Sequence, residues 1–237
     1  MKTPYNADYI HHQDSKLIDS MRELVFGMED GMVSTFGSVT GIAIATSDPF
    51  TIILSGTVII WVESISMAVG TYLSSKSEYS IDRRIVEEEK EELRKYPKEE
   101  KAELYEIYIK EGWPKNLATE MVKVASKNNK LFLREMVHHE LKVDVKEKKN
   151  LIKNSFVMLF SYFIGGIIPL AAYFFFSVSV AIIISVVVTL IGLFILGVFT
   201  TKYSKRTWWK AGLEMLILAG VAGTVGYTVG TLVERIF

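Results

Sequence analysis

The chain has 237 residues, of which 49% are hydrophobic and 23% are charged. Its 27 basic and 27 acidic residues balance, so the net charge gives no reason to expect a nucleic-acid partner. The absence of cysteine excludes disulfide bonds, thiolate zinc sites, iron–sulfur clusters and thiol catalysis. Long uncharged runs lie towards both ends of the sequence, and the stretch between them is densely charged.

The N-terminal half begins with a polar segment, residues 1–23, which lacks the apolar core of a signal peptide. A first apolar segment follows at residues 24–46, and Pro49 is well placed to open the next helix. The pattern then predicts one helix from about Phe50 to Tyr96. At 1.5 Å per residue this helix would be roughly 70 Å long, so it must project well beyond a hydrocarbon core of about 30 Å.

The charged middle, residues 76–150, has helical rather than β-type patterning. Pro97, Gly112 and the pair Asn128-Asn129 interrupt it, and a final helix is expected from about residue 131 to residue 149. These interruptions predict a compact bundle of three or four helices.

Three further apolar segments complete the chain and bring the predicted number of membrane spans to five. They cover residues 151–176, 177–200 and 208–233. In the last span, Gly226 and Gly230 have the Gly-x-x-x-Gly spacing that permits close helix contact, within or between subunits.

Lysine and arginine residues are distributed unevenly among the predicted loops. They occur before the first span, in the charged middle and at residues 202–210, whereas the turn at residues 46–50 and the junction near Ser177 contain none. The positive-inside rule therefore places the N-terminus and the charged middle in the cytosol. The predicted fold class is an all-α integral membrane protein with spans in residues 24–75 and 151–237 and a cytosolic helical domain inserted between the second and third spans.

Two of the carboxylates inside the predicted spans are candidates for a site at bilayer depth, where each charge costs on the order of 3 kcal/mol. They are Asp30 and Glu63, and Met67 follows Glu63 by one helical turn. Carboxylate with thioether suits a borderline metal such as Fe²⁺ better than Mg²⁺ or Ca²⁺. The alternatives are a helix break at Asp30, a helix–helix hydrogen bond from Glu63 and a packing role for Met67.

A second group of candidate ligands lies in the charged middle. Pairs spaced by three or four residues share a helix face: Glu89 with Glu92, Glu100 with Glu103, and Met136 with Glu140. The bend expected at Pro97 would bring the first two pairs towards each other. The alternative is a solvated charged face, because lysines and arginines alternate with these glutamates.

These motifs resemble the vacuolar iron transporter family. The resemblance rests on EDGMVSTF at residues 29–36, ESISMAVGTYL at residues 63–73 and GGIIPL at residues 165–170, and it extends over nearly the whole chain. It implies a five-span homodimer that exchanges cytosolic Fe²⁺, and often Mn²⁺, for protons, without a prosthetic group. Zn²⁺ is a further candidate ion.

The resemblance also implies roles for individual residues. The transport pathway would use Asp30, Met67 and Glu63, with Glu23 at its entrance. The cytosolic metal site would use Glu89, Glu92, Glu100, Glu103, Met136 and Glu140. The lysine content of this domain is high for a metal trap, so the number of bound ions stays open.

Other functional classes are open at this point. A passive divalent-cation channel would share the acidic residues, and a membrane-anchored scaffold would use the charged helices to bind a protein. An enzyme is not expected, because the sequence shows no nucleophile–base set, phosphate loop or metal-hydrolase motif. The short termini favour a prokaryotic plasma membrane, or a vacuolar-type membrane in a eukaryotic host.

Overall fold

The computed structural model describes residues 20–141, 151–204 and 206–236, which are almost entirely helical and contain no strand. The helices are α1 (Met21–Thr46), α2 (Pro49–Lys95), α3 (Pro97–Lys110), α4 (Lys115–Ala125), α5 (Asn129–His139), α6 (Leu151–Ala171), α7 (Val178–Ser204) and α8 (Trp208–Ile236), with a short 3₁₀ turn at Ala172–Phe174 after α6.

The chain divides into two compact units. The membrane unit comprises residues 1–72 and 152–237, and the acidic unit comprises residues 73–151. Helix α2 contributes its first part to the membrane unit and the rest to the acidic unit. That the acidic unit is a cytosolic domain between membrane spans stays a prediction.

Four of the described helices, α2, α6, α7 and α8, are long and apolar enough to cross a membrane. Helix α1 is also long, with 26 residues, but it contains carboxylates and many Gly, Ser and Thr residues that lower its hydropathy. A helix surrounded by protein does not need a uniformly apolar surface. The fifth span therefore remains a prediction for α1.

Helix α1 packs against α6 with almost no space between the two backbones. A Cβ atom at Gly31 would overlap the carbonyl oxygen of Tyr162, and one at Gly165 would overlap that of Met28. The sequence motifs at residues 29–36 and 165–170 therefore contain glycine at the points where α1 and α6 touch. This contact fixes the position of Asp30, the neighbour of Gly31.

Helix α1 makes a second close contact with α8. The carbonyl oxygens of Gly37 and Gly41 on α1 occupy the space that Cβ atoms at Gly226 and Gly230 on α8 would need. The Gly-x-x-x-Gly spacing therefore has a packing role within the chain, one of the two alternatives that the sequence left open.

We expect Gly226→Ala to lower the free energy of unfolding by about 1–3 kcal/mol, because the added methyl group must push α8 away from Gly37. Thermal unfolding of the purified protein in detergent measures the effect. Gly220→Ala is the matched control, since nothing lies within 4 Å of a Cβ atom there. Equal melting temperatures for the two variants would contradict close α1–α8 packing.

The acidic unit has an apolar core of its own. Leu104 and Tyr108 of α3 pack with Ala118 and Val122 of α4 and with Phe132 of α5. Asn128 caps α5, its side-chain oxygen accepting hydrogen bonds from two backbone amides of the first turn. The short helices are thus held by a shared core rather than by helix propensity alone.

Most predicted helix limits lie within a few residues of the observed ones, and the largest difference is in the charged middle. The long helix expected from Phe50 to Tyr96 is observed as α2, and Pro49 opens it. The last helix of the charged middle ends at His139 rather than continuing to residue 149, and residues 142–150 lie outside the described part of the chain.

Candidate functional site

The two carboxylates predicted at bilayer depth lie near each other in the membrane unit. Asp30 of α1 is partly buried, and it is close enough to Glu63 of α2 for their charges to interact. Glu29 is the residue before Asp30, and the charge of Asp30 also acts on it. The structure therefore brings together two of the residues proposed for the transport pathway, from different helices.

A groove of about 870 Å³ leads away from Asp30 between α1, α2 and α8. Its lining follows α1 from Asp30 to Thr46, the last residue before the α1–α2 turn. Most of the lining is apolar, and hydroxyl groups are placed along it: Ser34, Ser38, Thr46, Thr51 and Ser55. An ion leaving Asp30 would find oxygen ligands along this groove towards the turn that lacks lysine and arginine.

Sequence reasoning missed a buried polar pair beside this groove. The hydroxyl groups of Ser34 and Tyr162 are 2.5 Å apart, and the Tyr162 side chain is fully buried. The charges of Asp30 and Glu63 both act on Tyr162. The signal available in the sequence was Tyr162 itself, a tyrosine in an apolar run shortly before Gly165-Gly166. A buried tyrosine hydroxyl needs a hydrogen-bond partner.

The other two residues predicted for the pathway have different surroundings. Met67 is half-buried on α2, on the same side of the helix as Glu63, which is exposed in the single chain. Glu23, in the first turn of α1, is buried; Arg22 lies 3.8 Å from one of its oxygens, and the other has no hydrogen-bond partner. The proximity of Met67 and Glu23 to Asp30 stays a prediction.

The five glutamates predicted in the acidic unit converge on one place. Their charges act on one another across α2, α3 and the end of α5. Glu89 and Glu100 are buried, Glu140 is half-buried, and Glu92 and Glu103 are exposed at the rim. We call these five residues the glutamate cluster. Pro97 begins α3 directly after α2, and the charges of Glu89 on α2 and Glu100 on α3 act on each other.

The buried carboxyl groups of the glutamate cluster cannot all carry a negative charge unless protons or cations balance it. Burial, followed by the charges of Glu140 and Glu100, raises the pKa of Glu89 to about 8. The pKa of Glu100 is also raised by burial, and that of Glu140 by burial and the charges of Glu103, Glu100 and Glu92. Near neutral pH the cluster therefore retains protons that a bound cation would displace.

Three carboxylate oxygens in the cluster are buried without a hydrogen-bond partner, one each on Glu89, Glu100 and Glu140. Buried polar atoms normally have partners, so such atoms need a physical reason. In the described part of the chain, no three His, Asp or Glu side chains are placed to hold a metal ion together. The charges of the cluster's carboxyl groups raise one another's pKa values, so these oxygens lack partners where negative charge is already dense.

Met136 lies in the last turn of α5 and is fully buried. It belongs to the apolar core of the acidic unit, so it has a packing role whether or not its sulfur binds metal.

The alternative of a solvated charged face holds for other glutamates on α2: Glu87 and Glu91 are exposed and pair with Lys90 and Lys95. It does not describe Glu89 and Glu100, which are buried.

The fold and these two sites define an all-helical integral membrane protein with carboxylates on its apolar helices and an acidic helical unit between them. The model of the VIT family matches residues 21–231, and the chain belongs to this family.

Relatives match along most of their length. The vacuolar iron transporter of Plasmodium falciparum (isolate 3D7) is 28% identical over 92% of this chain and 83% of its own. That of Plasmodium berghei (strain Anka) is 30% identical over 94% and 85%, and vacuolar iron transporter 1 of Arabidopsis thaliana is 26% identical over 95% and 91%. These relatives are named as transporters, in agreement with the expectation that the chain is not an enzyme.

Proposed function

We propose that this protein is a proton-coupled antiporter that moves Fe²⁺, with Mn²⁺ as a second substrate, out of the cytosol. The observation that carries the proposal is Asp30, which lies at the end of a groove between helices of the membrane unit and within reach of the charge of Glu63. Ionisable groups at such depth usually line a substrate path. The names of the relatives support iron as the cargo.

The glutamate cluster supports a step of metal capture before transport. Its carboxylates must lose protons to bind a cation, so capture and proton release are linked. Fe²⁺ and Mn²⁺ both accept oxygen ligands, and the sulfur of Met136 would favour Fe²⁺. We propose that ions held here are then taken up by the membrane unit.

Exchange at Asp30 would couple the two fluxes. A carboxylate that has bound a metal ion on one side of the membrane releases it when it is protonated from the acidic side. The same carboxylate oxygen atoms then carry protons in the opposite direction, so metal ions and protons use one pathway. Protons and divalent ions are thus competing ligands of one site.

The assembly and orientation belong to the same proposal. We propose α1 as the fifth span, the acidic unit in the cytosol and a homodimer as the functional form. Glu63 is exposed on an otherwise apolar stretch of α2 that includes Val62 and Ile65. A second copy facing this stretch would shield the carboxylate from lipid. The relatives are named for the vacuole, and the expectation of a prokaryotic plasma membrane stays a prediction.

We expect purified protein in lipid vesicles to take up Fe²⁺ when the lumen is acidic, with a matching loss of lumenal protons. A metal-sensitive dye and a pH-sensitive dye inside the vesicles measure the two fluxes, and Mn²⁺ and Zn²⁺ are tested in parallel. Vesicles without protein, and vesicles whose gradient is collapsed by a protonophore, are the controls.

The outcomes separate the rival classes. Uptake that follows the metal gradient and ignores the proton gradient would indicate a channel. Absence of both uptake and metal binding, with the protein folded, would indicate a scaffold. Either result would overturn the antiport proposal.

A further inference from the structure

A second polar network in the acidic unit joins the end of α3 to the end of α5. Nδ1 of His139 is 2.6 Å from a carboxylate oxygen of Glu111, and Nε2 is 3.4 Å from one of Glu135. The hydroxyl group of Tyr108 donates to the same Glu135 oxygen at 3.0 Å, and its ring meets the His139 ring edge-on at 5.3 Å between centroids. The proposed function assigns no role to these four residues.

The network holds the part of α5 that carries two candidate metal ligands. Helix α5 has eleven residues and ends at His139, with Glu140 as its C-cap residue. The Glu140 amide donates to the Met136 carbonyl oxygen at 2.8 Å, so both candidate ligands belong to this last turn. Helices this short are marginal without tertiary contacts, and their ends open first.

His139 and Glu140 point in different directions because successive residues on a helix are about 100° apart. His139 faces Glu111 and Glu135, whereas the charges acting on Glu140 are those of Glu103, Glu100 and Glu92 in the cluster. Both nitrogens of the His139 ring already face carboxylate oxygens. His139 is therefore placed to hold the end of α5 in position rather than to act as another metal ligand.

We infer that His139, through Glu111, is a positioning residue for metal capture: it fixes the last turn of α5, which carries Met136, so that Glu140 stays beside the glutamates of α2 and α3. The inference rests on the proposed capture of metal by the cluster. The neighbour His138 is exposed and touches the network through its ring contact with His139, so it provides a matched comparison.

The test is anaerobic titration of Fe²⁺ into the full-length protein in detergent. His139→Ala is expected to weaken binding about tenfold, the usual effect of removing a group that orients metal ligands. His139→Asn should restore most of the affinity, because its amide nitrogen lies close to the position of Nδ1. His138→Ala should bind as the wild type does.

Transport distinguishes positioning from general loss of structure. In vesicles, His139→Ala is expected to raise the KM for Fe²⁺ and to leave the maximal rate per folded protein unchanged, since the Asp30 groove is not altered. A fall in maximal rate with unchanged KM would overturn the inference.

A double-mutant cycle keeps the inference testable if His139→Ala folds poorly. Glu111→Ala should weaken binding to the same extent, and adding His139→Ala to it should cause little further loss, because both remove one contact. Wild-type affinity in His139→Ala, equal weakening in His138→Ala, or independent additive losses would each overturn the inference. Failure of the wild-type protein to bind Fe²⁺ would instead overturn the proposed capture function, and this inference with it.

Discussion

Asp30→Asn is expected to reduce proton-coupled Fe²⁺ transport to the level of vesicles without protein. Asparagine has nearly the same shape as aspartate, so the close α1–α6 contact at Gly31 should persist. It carries no negative charge for the cation and cannot take up a proton at neutral pH. Both halves of the exchange cycle would therefore be lost together. Initial rates of Fe²⁺ uptake and of lumenal pH change measure the effect.

The matched control for this variant is Glu234→Gln, which removes an exposed carboxylate near the end of α8 and should transport normally. Fe²⁺ binding to solubilised Asp30→Asn protein should also persist, because the glutamate cluster lies in the other unit. Full transport by Asp30→Asn would remove Asp30 from the pathway. Loss of binding as well as transport would indicate misfolding.

Glu89→Gln combined with Glu100→Gln is expected to weaken Fe²⁺ binding by at least about tenfold, since two buried ligands are lost. The same variant should make the metal-free protein more stable by about 1–3 kcal/mol at pH 8, because buried carboxylates without partners are costly. Opposite effects on metal binding and on stability are typical of a site built for a ligand. Titration calorimetry and thermal unfolding, both without and with Fe²⁺, measure the two.

The pH dependence of the wild type follows from the raised pKa of Glu89. A carboxyl group whose folded pKa lies above its unfolded value favours the folded state most at low pH, and that contribution is lost as pH rises through about 8. Metal-free protein should therefore lose stability between about pH 5 and pH 8, while Fe²⁺ affinity increases over the same range. The double variant should show weaker trends in both quantities.

Glu87→Gln with Glu91→Gln is the matched control for the double variant. It removes the same number of charges from α2, but both residues are exposed and paired with lysines. Surface pairs of this kind contribute about 0–1 kcal/mol, so binding and stability should change little. Equal loss of Fe²⁺ affinity in the two double variants would show that net charge, rather than the cluster, attracts the metal.

The sequence by itself determined the order and type of the helices. The 47-residue helix α2 was predictable because its patterning continues past the apolar segment up to the residue before Pro97. Charge density predicted a charged helical middle between apolar segments, since charged residues seldom lie in lipid. The candidate ligands were predictable as pairs, because residues three or four apart on a helix share a face.

Only the tertiary structure decided which of these pairs meet and which glutamates are buried. Helical periodicity describes one helix at a time, so it could not show that Glu89, Glu100 and Glu140 converge from three elements while Glu87 and Glu91 face water. It also could not show that the glycines of α8 pack on α1, or that Tyr162 reaches Ser34 beside Asp30. Those relations depend on the packing of side chains between helices distant in the sequence, where burial changes the charge that a carboxylate can hold.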